Sequence, residues 1–313
     1  MAQRMKGRHL ISLKDYSRED FETIFSVAAR LKEELYIGRP HPLLAGKTLG
    51  MIFQKPSLRT MVSFQVGVQQ LGGYALYLGP DQISIGKRES TEDIAHVLSS
   101  YVDGIMARTF AHSIVEDLAK YSRVPVINGL TDFNHPCQIL ADLFTVLERK
   151  RRLDGLKLAY VGDGNNVTHS LLYGCATVGM SIALATPEDY RPDPEVVAYA
   201  RELGRKTGAK VTLTASPKEA AKGADVLYTD VWASMGQEAE KAIRAKAFKG
   251  YQINMPLLNS AHPDAIVLHC LPAHYDEEIT YDVVQDPRSA VFQQAENRLH
   301  AQKAVMALLM GNG

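Results

Sequence analysis

The sequence predicts an α/β protein of two similar domains, each a parallel sheet flanked by helices, with a C-terminal helix packing back on the first domain. Three observations predict it. Short apolar, β-rich runs alternate with longer helical patterns, and strands separated by helices of about 10–15 residues are βαβ units, which build parallel sheets covered on both faces. The series halts at Asp154-Gly155 and then starts afresh. The chain has 313 residues, two domains' worth at about 150 residues each and long enough to bury a core without disulfide or metal staples.

In chain order, TLGMIF at 48–53 is an apolar run of strand length, and KPSLRT follows it. A helix begins near Leu58 and Gly72-Gly73 ends it, because glycine is the costliest ordinary residue to fix in a helix. YALYL at 74–78 reads as the next strand, 92–101 as helix, 104–108 as strand, 113–120 as helix and 124–128 as strand. Pro136 opens a long helix reaching Lys150, since proline's fixed φ and missing N–H suit the first helical position. After the pause, 157–161 is a strand, 167–178 a helix, 182–185 a strand and 194–206 a helix. Strands at 211–214, 226–228 and 266–269 follow. The segment 295–310 is an apolar-periodic helix with no strand after it to start another domain. The expected division is a first domain 1–150, a second 151–294 and a returning helix 295–313.

Composition narrows the function classes. Lys+Arg and Asp+Glu are 35 each, so the net charge is zero and a general phosphate-backbone binder, which carries a basic excess, is disfavoured. A small anionic substrate remains compatible, because a site can concentrate a few arginines locally. Cys137, Cys175 and Cys270 are odd in number and far apart, the usage of a reduced compartment and neither a disulfide framework nor a zinc site. No apolar run reaches membrane-span length. The first ten residues carry Arg4, Lys6 and Arg8 without the apolar stretch of a secretory signal. The expectation is a cytoplasmic enzyme of bacterial type that contacts no nucleic acid or membrane.

In open α/β sheets ligands bind at the carboxyl ends of the strands, so polar residues just after strands carry most weight. Lys55-Pro56-Ser57-Leu58-Arg59-Thr60 follows a strand and opens a helix, with Ser57 as N-cap. First-turn amides, two hydroxyls and a guanidinium fork suit an anion; a merely capped helix fits equally well. Arg108-Thr109 closes the 104–108 strand. At Asn134-His135-Pro136-Cys137-Gln138, His135 is the cap and Gln138 the third residue of the turn. Both side chains project to the same sheet edge, where His can donate to a carbonyl oxygen and Gln can bind an amide; taken alone, a plain cap completed by Gln138 as a capping box is the commoner reading. The second half differs. Gly162-Asp163-Gly164-Asn165-Asn166-Val167 lacks the third glycine of a dinucleotide fingerprint, and its asparagines can instead hold a carboxylate or amide. Asp230, after the 226–228 strand, suits an ammonium group, while Ser234 in the loop Trp232-Ala233-Ser234-Met235-Gly236 suits a carboxylate. Cys270 ends the 266–269 strand as a nucleophile or, more commonly, a structural thiol.

Taken together, KPSLRT at 55–60, HPCQILADL at 135–143, GDGNNV at 162–167, DVWASMGQE at 230–238, HCLPAH at 269–274 and AENR at 295–298 resemble the aspartate/ornithine carbamoyltransferase family, in its ornithine-using branch. The resemblance runs from about Leu13 to Leu308. It implies transfer of a carbamoyl group from carbamoyl phosphate to the δ-amine of L-ornithine, giving citrulline and phosphate, as in arginine biosynthesis. It also implies two α/β domains and a homotrimer, or a multiple of trimers, with shared active sites. The implied mechanism needs no metal or cofactor. Phosphate would fall to Ser57, the Leu58 backbone, Arg59, Thr60 and Arg108, with Gln82 reaching into a neighbouring subunit. The carbonyl oxygen would fall to Thr60, Arg108 and His135, and the carbamoyl nitrogen to Gln138, the Cys270 and Leu271 carbonyls and Arg298. Ornithine would fall to Asn166, Asp230, Ser234 and Met235, with Cys270 beside the attacking amine.

One departure stands out. The family writes Ser-Thr-Arg-Thr-Arg where this chain has Ser57-Leu58-Arg59-Thr60-Met61. Leu58 loses a hydroxyl but keeps the amide that a helix-start anion site most needs, and Met61 removes a supporting arginine. The alternatives are a carbamoyltransferase acting on putrescine, an acylated ornithine or aspartate, a catalytically silent relative, or a nicotinamide dehydrogenase. An aspartate acceptor would need extra cations in the second domain, and the incomplete glycine fingerprint disfavours the dehydrogenase.

Overall fold

A computed structural model of the chain describes residues 2–86, 88–233 and 238–311, with Ala2, Gln3 and Glu238 described as backbone alone. Its contacts divide the chain into two compact units. One comprises the residues up to Ala141 and those from Asn297 onward; the other runs from Asp142 to Glu296. Both divisions fall within helices, Pro136–Lys150 and Val291–Met310.

The first unit holds a four-stranded sheet, β1 (Thr48–Phe53), β2 (Tyr74–Leu78), β3 (Gly104–Arg108) and β4 (Val126–Leu130), parallel throughout in the order β2-β1-β3-β4. β1 and β3 are central and buried, as their apolar runs require. Their side chains pack with Ile94, Leu98, Val115 and Leu118 of the helices Thr91–Tyr101 and His112–Tyr121. β4 begins two residues later than the expected 124–128. Pro125 has no N–H to give the ladder and contributes only its carbonyl, which accepts from the Ile105 amide at 2.8 Å.

One feature went beyond the sequence expectation. Arg18–Tyr36 is a helix whose start is a capping box, Ser17 accepting from the Asp20 amide and Asp20 from the Ser17 amide. The last helix packs back as expected. Val291–Met310 starts four residues before the expected 295, and its C-terminal end packs on the first unit. A Cβ placed on Gly104 would meet Met310 Sδ at 2.7 Å, so β3 starts with a glycine because the helix end occupies that space.

The second unit holds β5 (Lys157–Val161), β6 (Ser181–Ala185), β7 (Val211–Thr214), β8 (Val226–Thr229) and β9 (Ile266–His269), all parallel in the order β7-β6-β5-β8-β9. Its core joins Val161, Leu227 and Val267 of the strands to Ile253, Leu258, Ile279 and Val283. The helices at 217–221, 241–247, 255–258 and 281–285 are too short to show a period and were not anticipated.

Each strand order reverses direction once, between β1 and β3 in the first unit and between β5 and β8 in the second. Such switch points open a crevice at the carboxyl edge of the sheet. Ser57 and Arg108 stand at the carboxyl ends of β1 and β3, and Asn166 and Asp230 follow β5 and β8.

Candidate active site

In the first unit, Ser57 caps the helix Leu58–Gln70 as expected. Its Oγ accepts from the Thr60 amide at 3.3 Å and donates to Thr60 Oγ1 at 3.1 Å. Thr60 is buried, and its Oγ1 also accepts from Arg298 Nη2 at 2.9 Å. The C-terminal helix therefore delivers Arg298 to the end of β1. The Leu58 side chain is exposed at 71%, so what it can offer an anion here is its backbone, at the first position of the helix.

Arg108 owes its place to an irregularity that the sequence reading did not foresee. β3 and β4 pair Ala107 with Asn128 but Arg108 with Leu130, so Gly129 is an extra residue on β4. Such a bulge re-aims the side chains beside it. Gly129 is required there, because a Cβ would stand 2.6 Å from Met106 Sδ and 3.3 Å from the Ala107 carbonyl oxygen. The glycine in an apolar strand was the available signal.

Arg108, His135, Gln138 and Arg298 are all buried. Burial, then the positive charges of Arg298 and Arg59, pull Arg108 down to about 10. Arg108 Nε is buried with no hydrogen-bond partner among the described residues. Burial, followed by Arg298, Arg108 and Arg59, pushes His135 well below the usual imidazole range. His135 is therefore neutral at physiological pH and has one N–H to donate. This pocket concentrates positive charge around neutral donors, an arrangement suited to a small dianion attached to a carbonyl.

The second unit is built differently. Asn165 caps the helix Asn166–Val178, its Oδ1 accepting from the Val167 and Thr168 amides. Its Nδ2 donates to Asp230 Oδ2 at 3.0 Å. Asp230 Oδ1 accepts from Cys270 Sγ at 2.9 Å and from the Val231 amide at 2.8 Å. Asp230 is thus buried and held by three donors. Burial, Asp230 and Asp142 push the Cys270 thiol well up, which removes the thiolate-nucleophile reading and leaves Cys270 as a thiol beside a carboxylate. Asn166 is the first residue of the helix, at the same edge.

Further residues here were missed by sequence reasoning. Asp163 forms a buried ion pair with Arg244, at 2.8 Å. Arg244 also donates to the Trp232 carbonyl and lies over the Tyr190 ring. Burial raises Asp163 to about 6 even with Arg244 beside it, Asp230 adding to the rise. A lone Arg in a short amphipathic segment gives no signal of such a partner. Behind Cys270, Tyr228 donates to Asp142 at 2.8 Å and Gln294 donates to the same carboxylate at 2.7 Å.

Gln82 is exposed, and its Oε1 accepts from the Gly79 amide at 2.9 Å, within its own loop. Ser234 and Met235 lie outside the described residues. Among the described residues, two groups of side chains could hold a cation by donor type, Asp225 with His262 and Asp264, and His274 with Glu277 and Glu278. Neither contains a residue assigned from sequence.

Comparison with known proteins shows the family. Residues 8–148 match the family model described as the aspartate/ornithine carbamoyltransferase carbamoyl-P binding domain, and residues 154–309 match that of the Asp/Orn binding domain. The chain is 56% identical over 311 residues to an ornithine carbamoyltransferase of Thermococcus kodakarensis, covering 99% of both proteins. It is 53% identical to the anabolic ornithine carbamoyltransferase of Pyrococcus furiosus, again covering 99% of each. Among solved structures, ornithine carbamoyltransferase from Pyrococcus furiosus superposes with a TM-score of 0.96 at 53% identity and 99% coverage of both chains. The anabolic enzyme of Campylobacter jejuni gives 0.90 at 37% identity, covering 96% of this chain and 97% of that one.

Proposed function

Because this chain belongs to the aspartate/ornithine carbamoyltransferase family, we propose that it transfers the carbamoyl group of carbamoyl phosphate to the δ-amine of L-ornithine, giving citrulline and phosphate for arginine biosynthesis. The observation that carries the reading is that each unit holds its own kind of cluster, a cationic one at the first switch point and an Asp230–Cys270 one at the second. We assign residues 1–150, with the returning helix 295–313, to carbamoyl phosphate and 151–294 to ornithine.

Ser57, the Leu58 amide, Arg59, Thr60 and Arg108 take the phosphate. Arg108, Thr60 and the neutral His135 donate to the carbonyl oxygen, where attack builds negative charge; a donor of this kind is typically worth about 3–4 kcal/mol. Gln138, Arg298 and the Cys270 and Leu271 carbonyls take the carbamoyl nitrogen. Asn166, Asp230, Ser234 and Met235 bind the amino acid. The amine must be neutral to attack, and a desolvated cleft disfavours its charged form. The departing phosphate accepts the amine's proton, so no strong protein base is needed.

The chain works as a homotrimer or a multiple of it, with Gln82 contributed to a neighbour. Support comes from β2, an edge strand written YALYL whose Tyr74, Leu76 and Tyr77 are exposed. An open apolar edge of this kind is normally covered. Three free thiols suit the cytoplasm.

The test incubates the protein with carbamoyl phosphate and ornithine, putrescine, acetylornithine or aspartate, and identifies the ureido product by mass spectrometry. Citrulline from ornithine alone is expected; none from ornithine overturns the reading. Light scattering on the same sample gives the assembly, and a monomer would remove the shared-site assignment of Gln82.

A further inference from the structure

The turn that follows β9 holds an unusual backbone. Leu271 has φ +59°, a left-handed conformation that a branched side chain adopts only when its surroundings impose it. Its amide donates to His269 Nδ1 at 2.8 Å. Nδ1 is therefore the bare nitrogen, the imidazole proton sits on Nε2, and that proton goes to Glu278 Oε1 at 3.0 Å. Glu278 Oε1 also accepts from the His274 amide at 2.6 Å, tying off the loop that begins at Leu271. His269 and Glu278 are both fully buried. The His269 amide is held as well, by Gln294 Oε1 at 2.8 Å.

Burying a carboxylate is costly where an apolar residue would fill the same space. Glu278 Oε2 is buried without a hydrogen-bond partner among the described residues; His274 Nδ1 lies 3.9 Å away. The acid is accounted for by what its other oxygen does: it selects one imidazole tautomer, and that tautomer is the one able to accept the Leu271 amide.

We propose that Glu278 is a positioning residue which, acting through His269, holds the Cys270–Leu271 turn in its left-handed form. The Cys270 thiol is thereby kept on Asp230, and the Cys270 and Leu271 carbonyls are presented in one fixed direction. The proposal rests on the roles given above to Cys270 and Leu271, so its test carries a control in the turn itself.

Steady-state kinetics on the purified oligomer compare E278L, E278Q and C270A, with melting temperatures measured on each. E278L keeps the volume and loses the acceptor; displacing reacting groups by about 1 Å costs on the order of 100-fold, and a loss of that size in kcat/KM, mostly in kcat, is expected. E278Q keeps an acceptor and should recover to within about fivefold of wild type. A packing role alone would make these two variants alike. If E278L does not fold, E278D takes its place, its acid withdrawn by one methylene, with an expected loss of about tenfold. C270A impaired beside an unimpaired acceptor-loss variant overturns the positioning role and leaves the site reading intact. Both unimpaired overturns the two together. E278Q as impaired as E278L at equal melting temperature also overturns the proposal.

Discussion

The two switch points solve the problem of polar burial in opposite ways. Around Arg108 both perturbing charges, Arg298 and Arg59, are positive, and burial adds to their effect. Around Asp230 the carboxylate is already met by Asn165, Cys270 and the Val231 amide. The first crevice gathers like charges that the proposed dianion would relieve, so on that reading its affinity is electrostatic. The second stores orientation, so its contribution is geometric. Removing a charge should therefore stabilise the first and destabilise the second, while both lose activity.

The largest effect tests the first half of that contrast. R108M removes the group we assign to the phosphate and to the carbonyl oxygen, so kcat/KM should fall by at least about 1,000-fold. The melting temperature should rise, because a guanidinium pulled down to about 10 is being held charged against its surroundings. Wild type should gain thermal stability from added phosphate, and R108M should gain none. Calorimetry with and without phosphate measures all three, and a lower melting temperature for R108M would refute stored repulsion.

D230N probes the other half. An asparagine cannot accept all three donors at once, so buried groups are left unmatched. Both kcat/KM for ornithine, by about 100-fold, and the melting temperature should drop. A rise in melting temperature would mean that Asp230 too stores repulsion, and the comparison would collapse.

G129A makes a smaller change, acting on position alone. Its methyl group would press on Met106 Sδ and the Ala107 carbonyl, shifting the bulge that aims Arg108. A loss of about tenfold in kcat/KM for carbamoyl phosphate is expected, with ornithine KM little changed. Pairing it with M106A, which opens the space, should recover most of the loss; no recovery would assign the effect elsewhere.

These residues also show what a single sequence can and cannot carry. The strands were legible because buried parallel strands are continuous apolar runs, and Ser57 and Pro136 were legible because helix starts use local chemistry. The Arg18–Tyr36 helix was equally legible, its capping box and the apolar spacing of Phe21, Ile24, Phe25 and Ala28 being local signals that went unread. The Asp163–Arg244 pair and the His269–Glu278 tie were not legible, and the Gly129 bulge showed only as a glycine in an apolar strand. Each depends on partners brought together by sheet register or by a loop closing on itself, and nothing in the residues' spacing encodes that. The residues we propose as ligands mostly follow strands, a position legible in sequence; the residues that hold them there are not marked in that way.

The smallest effect extends the contrast to pH. In the first unit, burial lowers His9, His41, His112 and His135 below the ordinary imidazole value, His135 furthest. The unfolded chain then binds more protons than the folded one once pH falls below about 6.5, so this unit loses stability on acidification. Asp163 in the second unit has the opposite sign. Its folded value is raised to about 6 from 3.8, so the folded state binds the extra proton and gains stability as pH falls through that window. Acidifying from pH 7 to about 5.5 should therefore weaken β3 and β4 before β5 and β8, in the sense that the local opening free energy falls first there. Hydrogen exchange read by mass spectrometry, corrected for the intrinsic rate at each pH, resolves the two sheets separately. H135Q should remove part of the first unit's loss, and D163N should abolish the second unit's gain. If β5 and β8 open first in the wild type, the burial of neutral imidazoles is not what sets the acid response.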